Sequence, residues 1–490
     1  VSNKFKLIVM EAKFGNFSEM ANLLSVKSRV SSDITVLFER FSLGRLLSRM
    51  GMRKEQGYSL VQLIMAICMF RVCGETIHSA YTANFHGLVK TGKNCYYRLL
   101  ERPSMDWRRL LMTMAIRFYA ILRKENIAEA EGPKCLIIDD TTLEKTGIHM
   151  EGISRVFDHV KGRCVLGYKL LLCAYCDGKS TLPIDFTIHS EKGRNKTYGL
   201  TAKQRKARFQ KDRQSDSFTA TRFSELEADK ISMSIDMVKR ATKLGLQAEY
   251  VLCDSWFTCE KLLHEVRSID GGKMHFVGLA KFGNTKYKVD GHSKNAKELI
   301  AKYERERTQY CRKYKCAYIS LRGYLGEVPV RIFLIHYGHN QKWNVLITTD
   351  MSLSFVEAFE IYQMRWSIEV LNKETKQYLG LGAFQGRDFD KLIADCTLCY
   401  MTYIVMALDK RINEYETTGK LFAVLKDSLI ELTLWKRVLS ALERFMGCLC
   451  ENSSIQVDEL LESILHNDSI PKECLAIAEA LRLGQQRDAA

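Results

Sequence analysis

The stretch GPKCLIIDDTTLEKTG, Gly132 to Gly147, constrains the fold more than any other part of the chain. Gly132 and Pro133 punctuate it, and a short apolar run then leads straight into Asp139 and Asp140. A brief apolar run bounded by turn residues reads as a buried strand, so two carboxylates stand where a core element ends. Two more β-rich runs follow, VLGYKLLLCAY and STLPIDFTIHS, joined through Asp177-Gly178, a hairpin signal. Helical periodicity returns in ADKISMSIDMVKRATKLG, after which AEYVLCDSWF is another apolar strand, ending in Asp254. Three successive strands and then a strand-helix-strand alternation predict an α/β sheet with acids at strand ends.

The rest of the chain divides around this core. At 490 residues it exceeds one ordinary core, and about 150 residues per domain gives two to four domains. Residues 1–130 are helical in period, with SLVQLIMAICMF and WRRLLMTMAIRFYAILRK as buried or half-buried helices. Residues 131–280 hold the first part of the core, and residues 281–349 read as a β-rich insertion containing YKCAYISLRGY, VPVRIFLIHYG and KWNVLITTD. The core resumes over 350–410, and 411–490 is helical, with a polar tail after Leu483.

Charge and cysteine usage narrow the function. Lys and Arg number 73 against 57 Asp and Glu, a net charge of +16, which favours a polyanionic partner, nucleic acid ahead of an anionic membrane surface. Sixteen cysteines are scattered along the chain, many inside apolar runs, so reduced thiols in the cytosol are expected. Cys173/Cys176, Cys311/Cys316 and Cys396/Cys399 have spacings zinc could use, but nothing completes four ligands. The longest apolar runs, LVQLIMAICMF and LCYMTYIVMAL, fall short of the roughly 20 residues a membrane span needs.

YQMRWSIEVLNKETKQYLGLG, Tyr362 to Gly382, is the other informative stretch. On one helix Tyr362, Arg365, Glu369, Lys373 and Lys376 fall within an arc of roughly 80°, while Ile361, Met364, Ile368, Leu371 and Leu379 form a separate apolar arc. Ser354 with Glu357 reads as a capping box, and Gly380 supplies the stop. The polar face is either a solvated surface or a presentation of one carboxylate with a row of phosphate contacts. Carboxylates on three separate core elements suit two divalent ions flanking a scissile phosphate, because Mg²⁺ takes oxygen ligands and keeps room for substrate.

Tyr362-x2-Arg365-x3-Glu369-x6-Lys376 resembles the Y-R-E-K signature of bacterial DDE transposases of the insertion-sequence-4 type, and IIDDTT and LCDSWF occur in the right order. The resemblance implies a ribonuclease-H-like catalytic core interrupted by the β-rich insertion, with helical N- and C-terminal regions, the first of which binds DNA ends. It implies Asp254 and Glu369 as the second and third acidic residues. Family members place the first directly before a Thr-rich segment or one residue earlier, so Asp140 and Asp139 both fit, with Asp140 preferred. Two Mg²⁺ or Mn²⁺ ions per site, cut-and-paste transposition, a homodimer on double-stranded DNA and the bacterial cytosol follow from the same likeness. Arg365, Lys373 and Lys376 would contact phosphates at the element's ends, and Tyr362 would be the signature's hydrogen-bonding phenol.

Hairpin-forming members stack a flipped base on a Trp at the end of the insertion, and Trp343 stands at the matching place; packing is the alternative reading. Residues 192–213 carry nine basic side chains against one acidic, with Lys192, Arg194, Lys196, Lys203, Arg205, Lys206 and Arg208 as DNA contacts or as a solvated loop. His149, His159 and His189 have no motif around them.

Overall fold

The computed structural model describes residues 34–52, 56–82, 91–128, 130–337, 342–413, 415 and 418–426. Most of the expected C-terminal helical region, 411–490, and the first 33 residues of the N-terminal one lie outside this range. The chain forms two compact units, residues 1–100 with 401–490, and residues 101–400.

In the first unit, helices α1 (Ile34–Phe41), α2 (Leu43–Arg49), α3 (Leu60–Val72), α4 (Ile77–Thr82) and α5 (Lys93–Leu100) follow one another. Nearly every side of α3 is apolar and buried, as expected of a helix at the centre of its unit. Phe70 of α3 meets Tyr96 of α5 edge to face at 5.6 Å.

The second unit is built on one large sheet. Helix α6 (Trp107–Lys124) precedes β1 (Cys135–Glu144), β2 (Ser154–Asp158), β3 (Arg163–Cys176) and β4 (Thr181–His189). Then come α7 (Ala202–Lys206), α8 (Phe218–Ser224), α9 (Lys230–Lys243), β5 (Tyr250–Cys253), α10 (Glu260–Ser268) and β6 (His275–Ala280). Next are β7 (Lys286–Val289), β8 (His292–Asn295), α11 (Ala296–Arg307), β9 (Thr308–Cys311), β10 (Cys316–Leu325), β11 (Val328–Tyr337) and β12 (Trp343–Thr348). The unit closes with α12 (Phe355–Gln363) and α13 (Trp366–Leu379), and α14 (Phe389–Asn413) starts in it. Strand order is β2-β3-β1-β5-β6-β12-β11-β10-β7-β8, with β4 on β3 and β9 on β10. β1, β5 and β6 run parallel, and the strand pairs flanking them are antiparallel. Segment 281–349 therefore extends the same sheet, and its helix α11, opened by an Asn295/Glu298 capping box, lies within what reads as a β-rich stretch.

Three local features differ from the sequence reading. β1 runs on through Thr141 to Glu144, because β3 pairs with it along its whole length, so the two aspartates sit mid-strand. Ser154–Asp158 is a strand too short to show a period. The helix expected across Tyr362–Leu379 is broken: Met364, Arg365, Ser367 and Ile368 donate to carbonyls three residues back, and the Ser367 hydroxyl takes the Met364 carbonyl at 2.8 Å. The tightened turn separates α12 from α13.

Helix α14 is long and apolar enough to cross a membrane, but 89% of its apolar window is buried inside the protein, the condition of a core helix.

Candidate active site

Parallel register builds the floor of the site. Ile138 of β1 lies opposite Cys253, the last residue of β5, so the next residues along, Asp139 and Asp254, emerge side by side. Asp254 is fixed by the turn that follows, its Oδ1 accepting the Trp256 backbone N–H at 2.9 Å. Glu369 comes from the first turn of α13, which the buried Ile368, Leu371 and Leu379 anchor. Arg365 ties these elements together: its Nη2 donates to Glu369 Oε1 at 2.6 Å and its Nη1 stands 3.7 Å from Asp139 Oδ2.

Alternation along β1 turns the two aspartates toward different partners, although both border the same cavity. Asp139 shares a face with Thr141, whose hydroxyl accepts from Lys376 of α13 at 2.7 Å; Lys376 also donates to the Thr142 carbonyl. Asp140 is gripped by Lys230, at the start of α9, at 2.8 Å and by Lys169 of β3 at 3.3 Å. The electrostatics follow. Burial pushes the Asp139 carboxyl up to about 7; Arg365 pulls it down, and the neighbouring Asp254 and Asp140 add to the rise. Burial also opposes ionisation of Asp140, but Lys230 and Lys169 hold its pKa below the usual range.

Asp139, Asp140, Asp254, Glu369, Lys373 and Lys376 line one cavity of about 500 Å³. Lys169, Lys230, Glu191, Asn372, the half-exposed Trp256, Phe157 and His159 are among the other residues that line it. Of the remaining expected residues, Arg365 and Tyr362 are buried beside the cavity rather than lining it. Trp343 lies on β12 with its ring 5.0 Å from that of His336 and does not line the cavity.

The basic segment is divided. Arg194, Lys196, Lys203 and Lys206 are exposed. Lys192 pairs with Glu227, Arg205 donates to the Leu200 carbonyl, and Arg208 donates to the Ile153 carbonyl and lies over Tyr198. Lys211 and Arg213 turn inward to Glu151, Asp388 and Asp390. His149 bonds the Ala207 carbonyl, and His189 is buried against Thr187.

Sequence reasoning passed over Lys169, Lys230 and Trp256. A lone Lys in the apolar run VLGYKLLLCAY was the available signal for the first; Lys230 reaches Asp140 only through the tertiary fold.

Two family models match the chain: DDE superfamily endonuclease over residues 88–270 and Transposase DDE domain over residues 228–405. The matches support a DDE-superfamily transposase. The first spans Asp139, Asp140 and Asp254, and the second spans Asp254 and Glu369. They indicate a nuclease-type enzyme with DNA as substrate, and the mixed α/β unit with its large open sheet fits a DDE nuclease fold. No curated protein matches the chain.

The raised pKa of Asp139 has a measurable consequence. A carboxyl whose folded pKa lies above its unfolded value costs stability as pH rises between the two values, and the cost levels off above the folded one. Without metal, Asp139→Asn should therefore melt with wild type near pH 4, gain progressively up to about pH 7 and gain no more beyond. Melting curves in EDTA across pH 4 to 8 check this; a gain already complete at pH 4 would contradict it.

Proposed function

We propose that the chain is a cut-and-paste transposase that cleaves DNA at the ends of its element and joins those ends to target DNA. The observation that carries this reading is the convergence of Asp139, Asp254 and Glu369 from β1, β5 and α13 on one cavity edged with lysines. In this reading β1 to β6 with α12 and α13 are the ribonuclease-H-like core, and segment 281–349 is its insertion.

Among the described residues, no three His, Cys, Asp or Glu side chains already stand close enough to hold one metal ion. The donors nevertheless suit a hard divalent cation: five carboxylates, Asp139, Asp140, Glu191, Asp254 and Glu369, line one cavity, and the charges of Asp254 and Asp140, which add to the burial-driven rise of Asp139, are what a cation between them would relieve. Asp139, Asp254 and Glu369 would hold Mg²⁺ or Mn²⁺, two ions per site. When bound, such ions activate the attacking oxygen and stabilise the leaving one. Asp139 is assigned ahead of Asp140 because it shares the α13 face and has no lysine on it, whereas two lysines already neutralise Asp140.

The chain's own groups do the rest. Lys373, exposed on α13, neutralises a phosphate beside the scissile one, and Arg365 holds Glu369 at the cavity in the absence of substrate. Lys376 docks α13 on β1 and so sets the height of Glu369 above the sheet. Exposed Arg194, Lys196, Lys203 and Lys206 extend the positive track for the DNA backbone. Two subunits, each acting on one end, make up the working complex.

The joining step tests this reading against a nuclease that only cuts and against a DNA-binding protein without chemistry. Pre-cleaved ends bearing a 3′-hydroxyl, incubated with protein, Mg²⁺ and a plasmid target, should yield inserted ends. Cutting without joining would favour the nuclease, and binding alone the non-catalytic protein. If the second strand is cut through a hairpin, Trp343→Ala should slow hairpin formation more than first-strand nicking, measured on denaturing gels. Equal slowing of both steps would return Trp343 to a packing role beside His336.

A further inference from the structure

Toward the other end of the same sheet, where segment 281–349 adds its strands, lies a second opening. It is a groove of about 560 Å³ lined chiefly by polar side chains, among them Arg307, Gln309, Tyr318, Arg322 and Arg331. None of its lining residues borders the carboxylate cavity. Alternation puts Tyr318, Ser320 and Arg322 of β10 on one face with Arg331 and Phe333 of β11. Phe355, at the start of α12, stacks on Tyr318 at 4.2 Å and forms a wall.

The register places Arg322 directly opposite Arg331. Like charges opposite one another on an antiparallel pair are unfavourable, and a counter-charge relieves them. The protein does not supply one. Arg331 donates its Nε to the Ser320 hydroxyl at 3.3 Å and its Nη1 to the Leu353 carbonyl at 2.6 Å, both uncharged acceptors that fix the guanidinium at the groove. Arg322 is exposed and pairs with no carboxylate among the described residues. Asp290 is the one carboxylate in the lining; it stands 3.8 Å from Arg307 and also accepts the Tyr303 hydroxyl at 2.5 Å. Three guanidinium groups therefore face a single carboxylate. Charged side chains also keep sheet edges from pairing, but β10 has β11 on one side and β7 and β9 on the other, so edge protection does not account for Arg322.

We infer that this groove binds the phosphate backbone of duplex DNA at a place separate from the carboxylate cavity, with Arg322 and Arg331 as a paired contact and Arg307 as the third cation. The planar fork of an arginine matches two phosphate oxygens, and the incoming charge relieves the opposed pair. Arg307 and Arg322 are exposed at the mouth, which suits a polymer that runs past rather than a small anion enclosed on all sides. That the polymer is DNA rests on the transposase reading above. The groove lengthens the DNA footprint beyond the cut, and it contributes affinity rather than chemistry.

Equilibrium binding of the full chain to duplex carrying the terminal repeat, measured in EDTA across a salt series, tests the groove without requiring cleavage. Arg322→Ala should bind several-fold more weakly at low salt and flatten the slope of log affinity against log salt by roughly 0.9, the equivalent of one phosphate contact. Arg322→Glu should bind more weakly still. Lys297→Ala, which removes an exposed cation of α11 that does not line the groove, should keep the wild-type slope. Without DNA, Arg322→Ala should melt no lower than wild type, because it removes a like-charge pair. An Arg322→Ala slope equal to that of wild type, or an equal loss in Lys297→Ala, overturns the groove and leaves the transposase reading standing. Wild type that binds no duplex at all overturns that reading, and the groove with it.

Discussion

Glu369→Gln is expected to lower the single-turnover rate of DNA cleavage by on the order of 10³-fold, while DNA binding measured in EDTA holds or tightens. In the proposed mechanism the variant removes one of the charges that would hold a divalent ion against the scissile phosphate; several kcal/mol of transition-state stabilisation at about 1.4 kcal/mol per decade gives that figure. Binding is spared because the variant removes a negative charge from a cavity that Lys373 and Lys376 also line, so the DNA backbone meets less repulsion there. The split between rate and binding is the informative part. A merely structural Glu369 would take binding down with the rate, and a variant that cuts at the wild-type rate would remove Glu369 from the chemistry.

Asp185→Asn is expected to be the most destabilising single change, costing about 3–5 kcal/mol in chemical unfolding. Asp185 is 1% exposed, hydrogen-bonded by Arg108 and Arg240 and 3.8 Å from Arg222, so neutralising it leaves buried guanidinium charge uncompensated. Burial alone would raise its pKa, but the three arginines hold it below the usual carboxylate range. Because the folded pKa lies below the unfolded one, the stabilisation is fully present above the unfolded value and is lost as pH falls through the folded one. The penalty of the Asn variant should therefore be constant near neutrality and shrink only in strong acid. A penalty under about 1 kcal/mol at pH 7 would show that water already relieves the cluster.

Local signals were readable from the chain because they act over a few residues. Asp177 Oδ1 takes the backbone N–H groups of Lys179 and Ser180, which makes the Asp177-Gly178 turn a property of that tetrapeptide. Ser354 and Glu357 cap α12 reciprocally, and Gly380 stops α13 in the left-handed conformation. The apolar runs leading into Asp139 and Asp254 are legible for the same reason. What stayed hidden depends on residues far apart in the chain. Lys230 meets Asp140 across 90 positions, and Arg213 meets Asp390 across 177, so Lys230 and part of the basic segment 192–213 spend their charge inside the protein. The break between Met364 and Ser367 carries no Pro or Gly, and only the hydroxyl-to-carbonyl bond of Ser367 marks it. The proposed choice of Asp139 over Asp140 likewise rests on the partners each meets across the fold, Arg365 for the first and Lys169 and Lys230 for the second.

The cavity between β1, β5 and α13 is proposed to be a metal-dependent DNA-cutting centre. Its most direct test takes wild-type protein, the DNA that flanks this gene with its terminal repeats, and Mg²⁺ or EDTA, and maps the product ends to the nucleotide. Cuts at the repeat boundary that expose 3′-hydroxyls in Mg²⁺ and vanish in EDTA are expected. Uncut DNA in Mg²⁺ with the repeats fully bound, or cuts that persist in EDTA, would contradict it.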